Sequence, residues 1–402
     1  MGSFNINLKR LARFSEYMTT GAHSSEFENM MFLATNESLE FATRTYNRLQ
    51  ERLEPAGIEL PEIGHVYGAY FPGGKEIYPV IGTSVRNKRV YLFHHCLGYN
   101  GEVDSNIGLV KVGLIGEALR NASPEQIIYV IPWFPYGRQD RLDRPRVPIS
   151  AKWALKLLDD PDSKIKVRLV TYDMHAGQAQ GFADYQIDNL FSEPLMHEYL
   201  MRRFVLNDMI YRCDKMTPHE LEECNKALRE KVCIVSPDAG ATTRARRLAK
   251  RFGGDLAVVD KRRVGGESEV MNILGSHYVK GKIAIEADDL IDTAGTMVGA
   301  ASALRDVGAI EVYGCAVHGL LSMDKDGVAA EDKIRNAGMR IVVTSSIPRS
   351  AEYLERNHGI LDQVYLDKFT ADVLFEIQKQ GGSVSKLFGE ERPPRDDFKG
   401  VN

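Results

Sequence analysis

Two adjacent acids, Asp288 and Asp289, stand where a short apolar run at 283–287 ends. A tight turn follows at once, carrying Asp292, Thr293, Ala294, Gly295 and Thr296, and a helix-compatible run begins at Met297. A helix start offers unpaired backbone N–H groups and a favourable dipole, which together suit a phosphate. Two carboxylates beside it can take ribose hydroxyls or a hydrated magnesium ion. The segment reads as a socket for a phosphorylated sugar. The plain alternative is a strand-to-helix turn with acidic caps. The order of strand, paired acids, hydroxyl-bearing turn and helix favours the socket.

Four further constellations carry chemistry. After a strand-like run at 127–131, residues 138–152 hold Arg138, Arg141, Arg144, Arg146 and Lys152 among prolines. Guanidinium forks pair with phosphate oxygens, so such a loop suits a polyphosphate as well as plain solvent. Asp173 and His175, two apart at a strand end, are expected to lean toward one ligand, with Asp184 and Asp188 adding acids. One imidazole with carboxylates and water can complete a Mg²⁺ shell around a nucleotide, whereas zinc would want more His or Cys. Ser236-Pro237-Asp238 places an acid at a strand's C-terminal end, where α/β folds bind ligands. Lys261 and Arg263 alternate to the same side of a strand-like run and could neutralise a transferring phosphoryl group. The chain has neither a Gly-x-Gly fingerprint nor a Gly-x4-Gly-Lys-Ser/Thr loop. ATP, if bound, is held in another way.

Positioning these residues needs buried parallel strands. Apolar β-rich runs at 90–93, 127–131, 167–170, 232–235, 256–259, 312–317 and 341–343 alternate with helical segments, notably 107–119 and the basic 239–252, which stops at Gly253-Gly254. The pattern predicts an α/β fold with doubly wound sheets. A chain of 402 residues suits two domains. A boundary near Ser192-Glu193-Pro194 divides it into an N-terminal extension 1–29, domains 30–191 and 192–389, and a mobile tail 390–402. Residues 207–231 form a charged insertion in which Thr217 and Glu220 have capping-box spacing with Pro218 at the first helical position. No internal repeat stands out. With 51 basic against 55 acidic residues, a general nucleic-acid or membrane binder is not expected. Five scattered cysteines suit a reducing cytoplasm, and no apolar run approaches the roughly 20 residues of a membrane span.

Taken together, these motifs resemble the ribose-phosphate pyrophosphokinase family over residues ~30–389. The quoted motifs, with Gly382 to Phe388 near the end, belong together in that family. The resemblance implies two tandem phosphoribosyltransferase-type domains with parallel sheets flanked by helices. It implies transfer of the β,γ-diphosphoryl group of Mg-ATP to the 1-hydroxyl of ribose 5-phosphate, leaving AMP. It assigns Lys261 and Arg263 to catalysis. Arg138, Gln139, Asp140, Arg141, His175, Phe71 and Glu76 are assigned to ATP. Asp288, Asp289 and residues 292–296 go to ribose 5-phosphate, and Asp173, His175 and Asp238 to Mg²⁺. Ser84 and Arg86 match a regulatory phosphate motif. It also implies a homo-oligomer, hexameric or related, whose ATP sites are completed by a neighbour. The loop from Phe71 to Glu76 departs from the family by one extra residue and lacks its Asn or Asp. The sugar loop alone does not separate ribose 5-phosphate from a larger acceptor such as ADP-ribose. Non-catalytic relatives diverge at positions that this chain retains.

Overall fold

The computed structural model describes residues 24–73, 76–99, 104–206, 216–264 and 267–388, with the side chains of 24–25 and 262–271 outside that description. The extension (apart from 24–29), residues 207–215 of the insertion, the tail and the Arg263 side chain therefore lie outside the described residues.

The first sheet contains β1 (Met30–Ala34), β2 (Gly64–Tyr70), β3 (Ile77–Ile81), β4 (Arg89–Phe93), β5 (Gln126–Val130), β6 (Lys166–Tyr172) and β7 (Gln186–Leu190). The second contains β8 (Val232–Ser236), β9 (Leu256–Val264), β10 (Glu267–Leu274), β11 (Ile283–Ile291), β12 (Glu311–Gly319), β13 (Arg340–Thr344) and β14 (Leu361–Val364). Each of the seven strand-like runs falls in a strand, with Ile131 alone overrunning the end of β5. β8 is buried at every position, as a strand covered on both faces requires. The helix Thr242–Phe252 ends at Gly253 with φ 68°, the left-handed conformation that glycine adopts without strain. The helix Pro218–Lys231 opens on the full Thr217/Glu220 capping box.

The strand orders are β3-β2-β1-β4-β5-β6-β7 and β10-β9-β8-β11-β12-β13-β14. Adding seven to each strand number converts the first order into the second. The chain is thus a topological duplication, although its sequence shows no repeat. In each sheet a single antiparallel hairpin, β2/β3 or β9/β10, extends one edge of an otherwise parallel set.

The two halves also exchange helices. The helix Glu193–Phe204 follows β7, yet its Met196, Leu200, Met201 and Phe204 pack with Ile234, Ile285 and Tyr313 of the second sheet. The helix Asp367–Gln378 follows β14, yet its Phe369, Val373, Leu374, Phe375 and Ile377 pack with Phe32, Tyr91, Phe93 and Ile128 of the first sheet. Polar contacts fix the second exchange: Arg52 pairs with Asp372 at 2.6 Å, and Tyr91 Oη donates to Gln378 Oε1 at 2.7 Å. Each large apolar side chain buried there contributes about 1.5–3 kcal/mol. The exchange presses the C-terminal edges of β5–β7 against those of β8 and β11.

Candidate active site

Those edges enclose a cleft of about 860 Å³. The first sheet supplies Arg138, Asp140 and Arg141 after β5, Asp173 to Gln178 after β6, and Asn189 and Phe191 at the end of β7. The second supplies Asp238 after β8, Arg244 and Arg247 from the helix Thr242–Phe252, and Asp288 to Met297, from the last residues of β11 into the helix that follows. Residues far apart in sequence converge because ligands of parallel sheets meet the carboxyl ends of the strands.

The expected sugar socket is built by β11 and the helix Gly295–Asp306, whose first-turn N–H groups face the turn. Ala294 has φ 58°, a left-handed non-glycine conformation that sharpens the bend. Asp288 and Asp289 are adjacent yet electrically distinct. Burial, then the neighbouring Asp289, pushes the Asp288 carboxyl up to about 8. Burial would raise Asp289 as well, but His175 and Arg244 outweigh it and hold this carboxyl below the usual range. His175 Nδ1 lies 2.7 Å from Asp289 Oδ2, and Arg244 Nη1 donates to Asp289 Oδ1 at 3.3 Å. That contact with Asp289 raises the His175 imidazole above its ordinary value. The pair therefore holds one neutral acid and one carboxylate at neutral pH.

Arg138 Nη1 donates to Asp292 Oδ2 at 2.6 Å, joining the basic loop of the first domain to the socket of the second. Gln178 Nε2 donates to Asp140 Oδ2 at 2.8 Å. Arg141, Arg144 and Arg146 are exposed. Lys261 Nζ donates to the Thr296 carbonyl at 2.8 Å, so the β9/β10 hairpin reaches the mouth of the socket. Burial lowers the Lys261 ammonium, opposed by Glu286, Asp238 and Asp288.

Several expectations need correction. Asp173 and His175 both border the cleft, but not by the strand alternation expected. β6 ends at Tyr172, and Asp173 has φ 35°, so strand alternation no longer governs the pair. Asp173 is buried, accepts from the Ser192 N–H at 2.8 Å and lies 3.6–3.8 Å from the Arg247 and Arg244 guanidiniums. Asp188 pairs with Arg168 beside it in the sheet. Lys152 sits in the helix Ser150–Lys156 and not in the basic loop. Gln139 turns away from the cleft and accepts from Ser150 Oγ at 2.6 Å, tying the loop to that helix. Phe71 and Glu76 close the β2/β3 hairpin through a 2.9 Å bond from the Phe71 N–H to the Glu76 carbonyl. Three to four strand spacings separate that hairpin from β5 and β6, roughly 15–20 Å. Ser84 and Arg86 are exposed on the turn after β3. Among the described residues, no group of three or more His, Cys, Asp or Glu side chains is arranged to hold a metal.

The sequence reading missed Arg244 and Arg247. Arg244 reaches Asp288, Asp289 and Asp173, while Arg247 pairs with Glu193 and stacks on Phe191 at 3.9 Å. Their signal was the three-residue spacing on one face of a helix already marked as basic.

Comparison with known proteins bears on this cleft. Residues 30–160 match the family model for the N-terminal domain of ribose phosphate pyrophosphokinase, and 262–389 match that for the phosphoribosyl synthetase-associated domain. The ribose-phosphate pyrophosphokinase of Caldanaerobacter subterraneus subsp. tengcongensis is 37% identical over 78% of this chain and 86% of its own. That of Aquifex aeolicus is 34% identical over 78% and 88%. The solved phosphoribosylpyrophosphate synthetase of Mycobacterium smegmatis superposes with a TM-score of 0.66 at 25% identity, covering 87% of this chain and 99% of that one.

Proposed function

We propose a working scheme for the cleft on the premise that the chain belongs to the ribose-phosphate pyrophosphokinase family. It is a diphosphokinase of two tandem phosphoribosyltransferase-type domains. It transfers the β,γ-diphosphoryl group of ATP to ribose 5-phosphate, giving phosphoribosyl diphosphate and AMP. The observation that carries the residue roles is the meeting of an anion-suited turn from one domain with Arg138 and His175 from the other.

In this scheme the turn 292–296 takes the 5-phosphate. Neutral Asp288 donates to one ribose hydroxyl and charged Asp289 accepts from the other. The 1-hydroxyl then faces the first domain, where Arg138 leaves Asp292 for the phosphates of ATP and Arg141 joins it. The acceptor hydroxyl gives its proton to solvent as its oxygen bonds to the β-phosphorus and the bond from that phosphorus to the α,β-bridging oxygen breaks, that oxygen leaving with AMP. Lys261, with Arg263 beside it in β9, draws charge from the transferring group; such reactions depend chiefly on positioning and electrostatics. Magnesium suits His175 and Asp238 with nucleotide oxygens and water, since Mg²⁺ keeps much of its hydration, and it would neutralise phosphate charge. Asp173, committed to arginines, instead holds the domain junction.

Exposed Tyr67, Tyr70, Phe71, Tyr78 and Val80 of the β2/β3 hairpin, with Ile107, Val110 and Leu114 of the adjacent helix Ser105–Asn121, support a homo-oligomer. A neighbour's hairpin would then bring Phe71 and Glu76 to the ATP. Exposed Ser84 and Arg86 suit a regulatory phosphate there. No helix of the described residues is long and apolar enough to cross a membrane, and the four described cysteines are free, which suits a cytoplasmic setting.

The test is product analysis with Mg-ATP and either ribose 5-phosphate or ADP-ribose. AMP release with ribose 5-phosphate alone is expected. No release above the enzyme-free control with either acceptor would overturn the scheme.

A further inference from the structure

β6 gives way at Asp173 to a turn with a left-handed φ of 35°, which a non-glycine residue adopts only under strain. The fold itself does not ask for it, because the duplicated half makes the same junction without it. Ser345 occupies the matching place after β13. Its N–H donates to the Val364 carbonyl at 2.8 Å, as that of Asp173 donates to the Leu190 carbonyl at 2.8 Å. Its Oγ accepts from the Leu366 N–H at 3.1 Å, as Asp173 Oδ2 accepts from the Ser192 N–H at 2.8 Å. Yet Ser345 stays outside the left-handed region, and the residue that follows Ser346 is the buried Ile347. In the first half that place belongs to His175, whose Nδ1 lies 2.7 Å from Asp289 Oδ2 of the second half. The left-handed turn is thus particular to the half that delivers an imidazole.

Strain persists only where the surroundings over-determine it. Besides the two bonds of Asp173, the Met174 N–H donates to Asn189 Oδ1 at 2.9 Å. These partners lie in or just after β7. A further bond comes from the second half. His318, in β12 beside Leu290 of β11, is buried, and its ring bridges the junction. Nε2 lies 3.1 Å from the Tyr172 carbonyl, and Nδ1 lies 2.9 Å from Ser346 Oγ. A carbonyl only accepts, so Nε2 carries the proton and donates. Burial pushes this imidazole down to about 4, so the ring is neutral and Nδ1 accepts from the Ser346 hydroxyl. That hydroxyl also lies 3.0 Å from the Val317 carbonyl, but Thr344 Oγ1 serves the same carbonyl at 2.7 Å and leaves the serine proton for the ring. The other end of Tyr172 is tied as well, its Oη lying 2.7 Å from Thr370 Oγ1 of the helix Asp367–Gln378. The residue that enters the turn is therefore held by the second half at both its hydroxyl and its carbonyl.

We infer that His318 is a positioning residue for His175: its Nε2–H, given across the domain junction to the Tyr172 carbonyl, holds the left-handed turn at Asp173 that brings the catalytic-cleft imidazole to Asp289. The inference rests on the role given to His175 above. It assigns His318 no contact with substrate. The same domain that carries the acid pair thereby sets the place of the imidazole that meets it.

The experiment measures turnover of the full chain with Mg-ATP and ribose 5-phosphate in His318→Gln, His318→Asn and His318→Met, each alone and combined with His175→Ala. The glutamine amide nitrogen reaches as far as Nε2 and keeps the bond to Tyr172. The asparagine amide reaches only as far as Nδ1, and methionine fills the space without a donor. His318→Asn and His318→Met are expected to lower kcat at least roughly tenfold, with KM for ribose 5-phosphate unchanged, because the turn 292–296 does not depend on the clamp. His318→Gln should recover most of that loss. The Asn and Gln pair carries the test if the methionine variant fails to fold. In the His175→Ala background none of the three should cause a further loss, since His318 acts through the imidazole already removed. A merely structural histidine would lower stability without this dependence on His175. Normal kcat in folded Asn or Met variants, a Gln variant as poor as Asn, a loss that multiplies with that of His175→Ala, or a loss confined to KM would overturn the inference. Near-normal turnover by His175→Ala itself would instead strike the underlying role of that imidazole.

Discussion

Replacing Asp289 by asparagine tests the electrical asymmetry of the acid pair. The carboxylate accepts from His175 at 2.7 Å and from Arg244 at 3.3 Å, and asparagine keeps its size while losing its charge. A hydrogen bond to a charged partner contributes about 1.5–3 kcal/mol. The His175 side chain is 46% exposed, and screening reduces its share to about 1–1.5 kcal/mol. The sign follows from linkage. His175, raised above its ordinary 6.5, contributes stability below that pH and loses it as pH rises through the folded value. Asp289, lowered from 3.8, contributes above that pH and loses it only in stronger acid. The full pair therefore acts between about pH 4 and 6.5. Asp288 acts in the same sense, because in the parent it stays protonated up to about 8 and progressively costs stability as pH approaches that value. The variant, freed of the neighbouring charge, loses the Asp289 share of that penalty and keeps the share due to burial. Denaturant unfolding of the ligand-free proteins should show the largest deficit near pH 5–6, shrinking by about 1 kcal/mol toward pH 8.5. A deficit that is flat or growing across this range would refute the pairing, as would a His175 titration unmoved by the substitution.

Three other outcomes are expected. Phe375→Ala should destabilise by about 3–5 kcal/mol and unfold both halves in one transition, because the ring packs on the first sheet, on Phe27 and under Arg52; two separated calorimetric transitions would contradict the exchange. Trypsin should cut within 141–146 in the free protein and be slowed by Mg-ATP, since these arginines are exposed until phosphate engages them; equal cleavage in both conditions would argue against closure. Glu76→Ala and Lys261→Ala subunits, each inactive alone, should recover activity when co-assembled, and failure despite verified mixing would rule out a shared ATP site.

The sequence was most legible where backbone and chemistry coincide. Val232 to Val235 announces a doubly covered strand by composition, and Asp288 to Thr296 announces its turn by order. The Thr217/Glu220 cap is local and was readable for that reason. Asp173 was misread because strand alternation was carried one residue past the end of β6. The union of Arg138 with Asp292 spans two sheets, and no local pattern encodes it. The duplication escaped notice because it lives in connectivity: β4 and β11 occupy matching places, but β4 runs out into His94 and His95 whereas β11 carries the acid pair within its last residues.

The helix exchange has a consequence for synthesis. A ribosome releases β1 to β7 well before Asp367, so the face of the first sheet that holds Phe32, Tyr91 and Phe93 is covered only by the helix Leu39–Leu53 until the end of the message is read. The second sheet is served in the opposite order, since the helix Glu193–Phe204 emerges before β8. Vectorial production thus leaves one half waiting for the other. Nascent chains stalled before residue 367 should hold a protease-sensitive N-terminal half that gains protection only when the last helix clears the exit tunnel. Early protection of that half would show that it closes its own core.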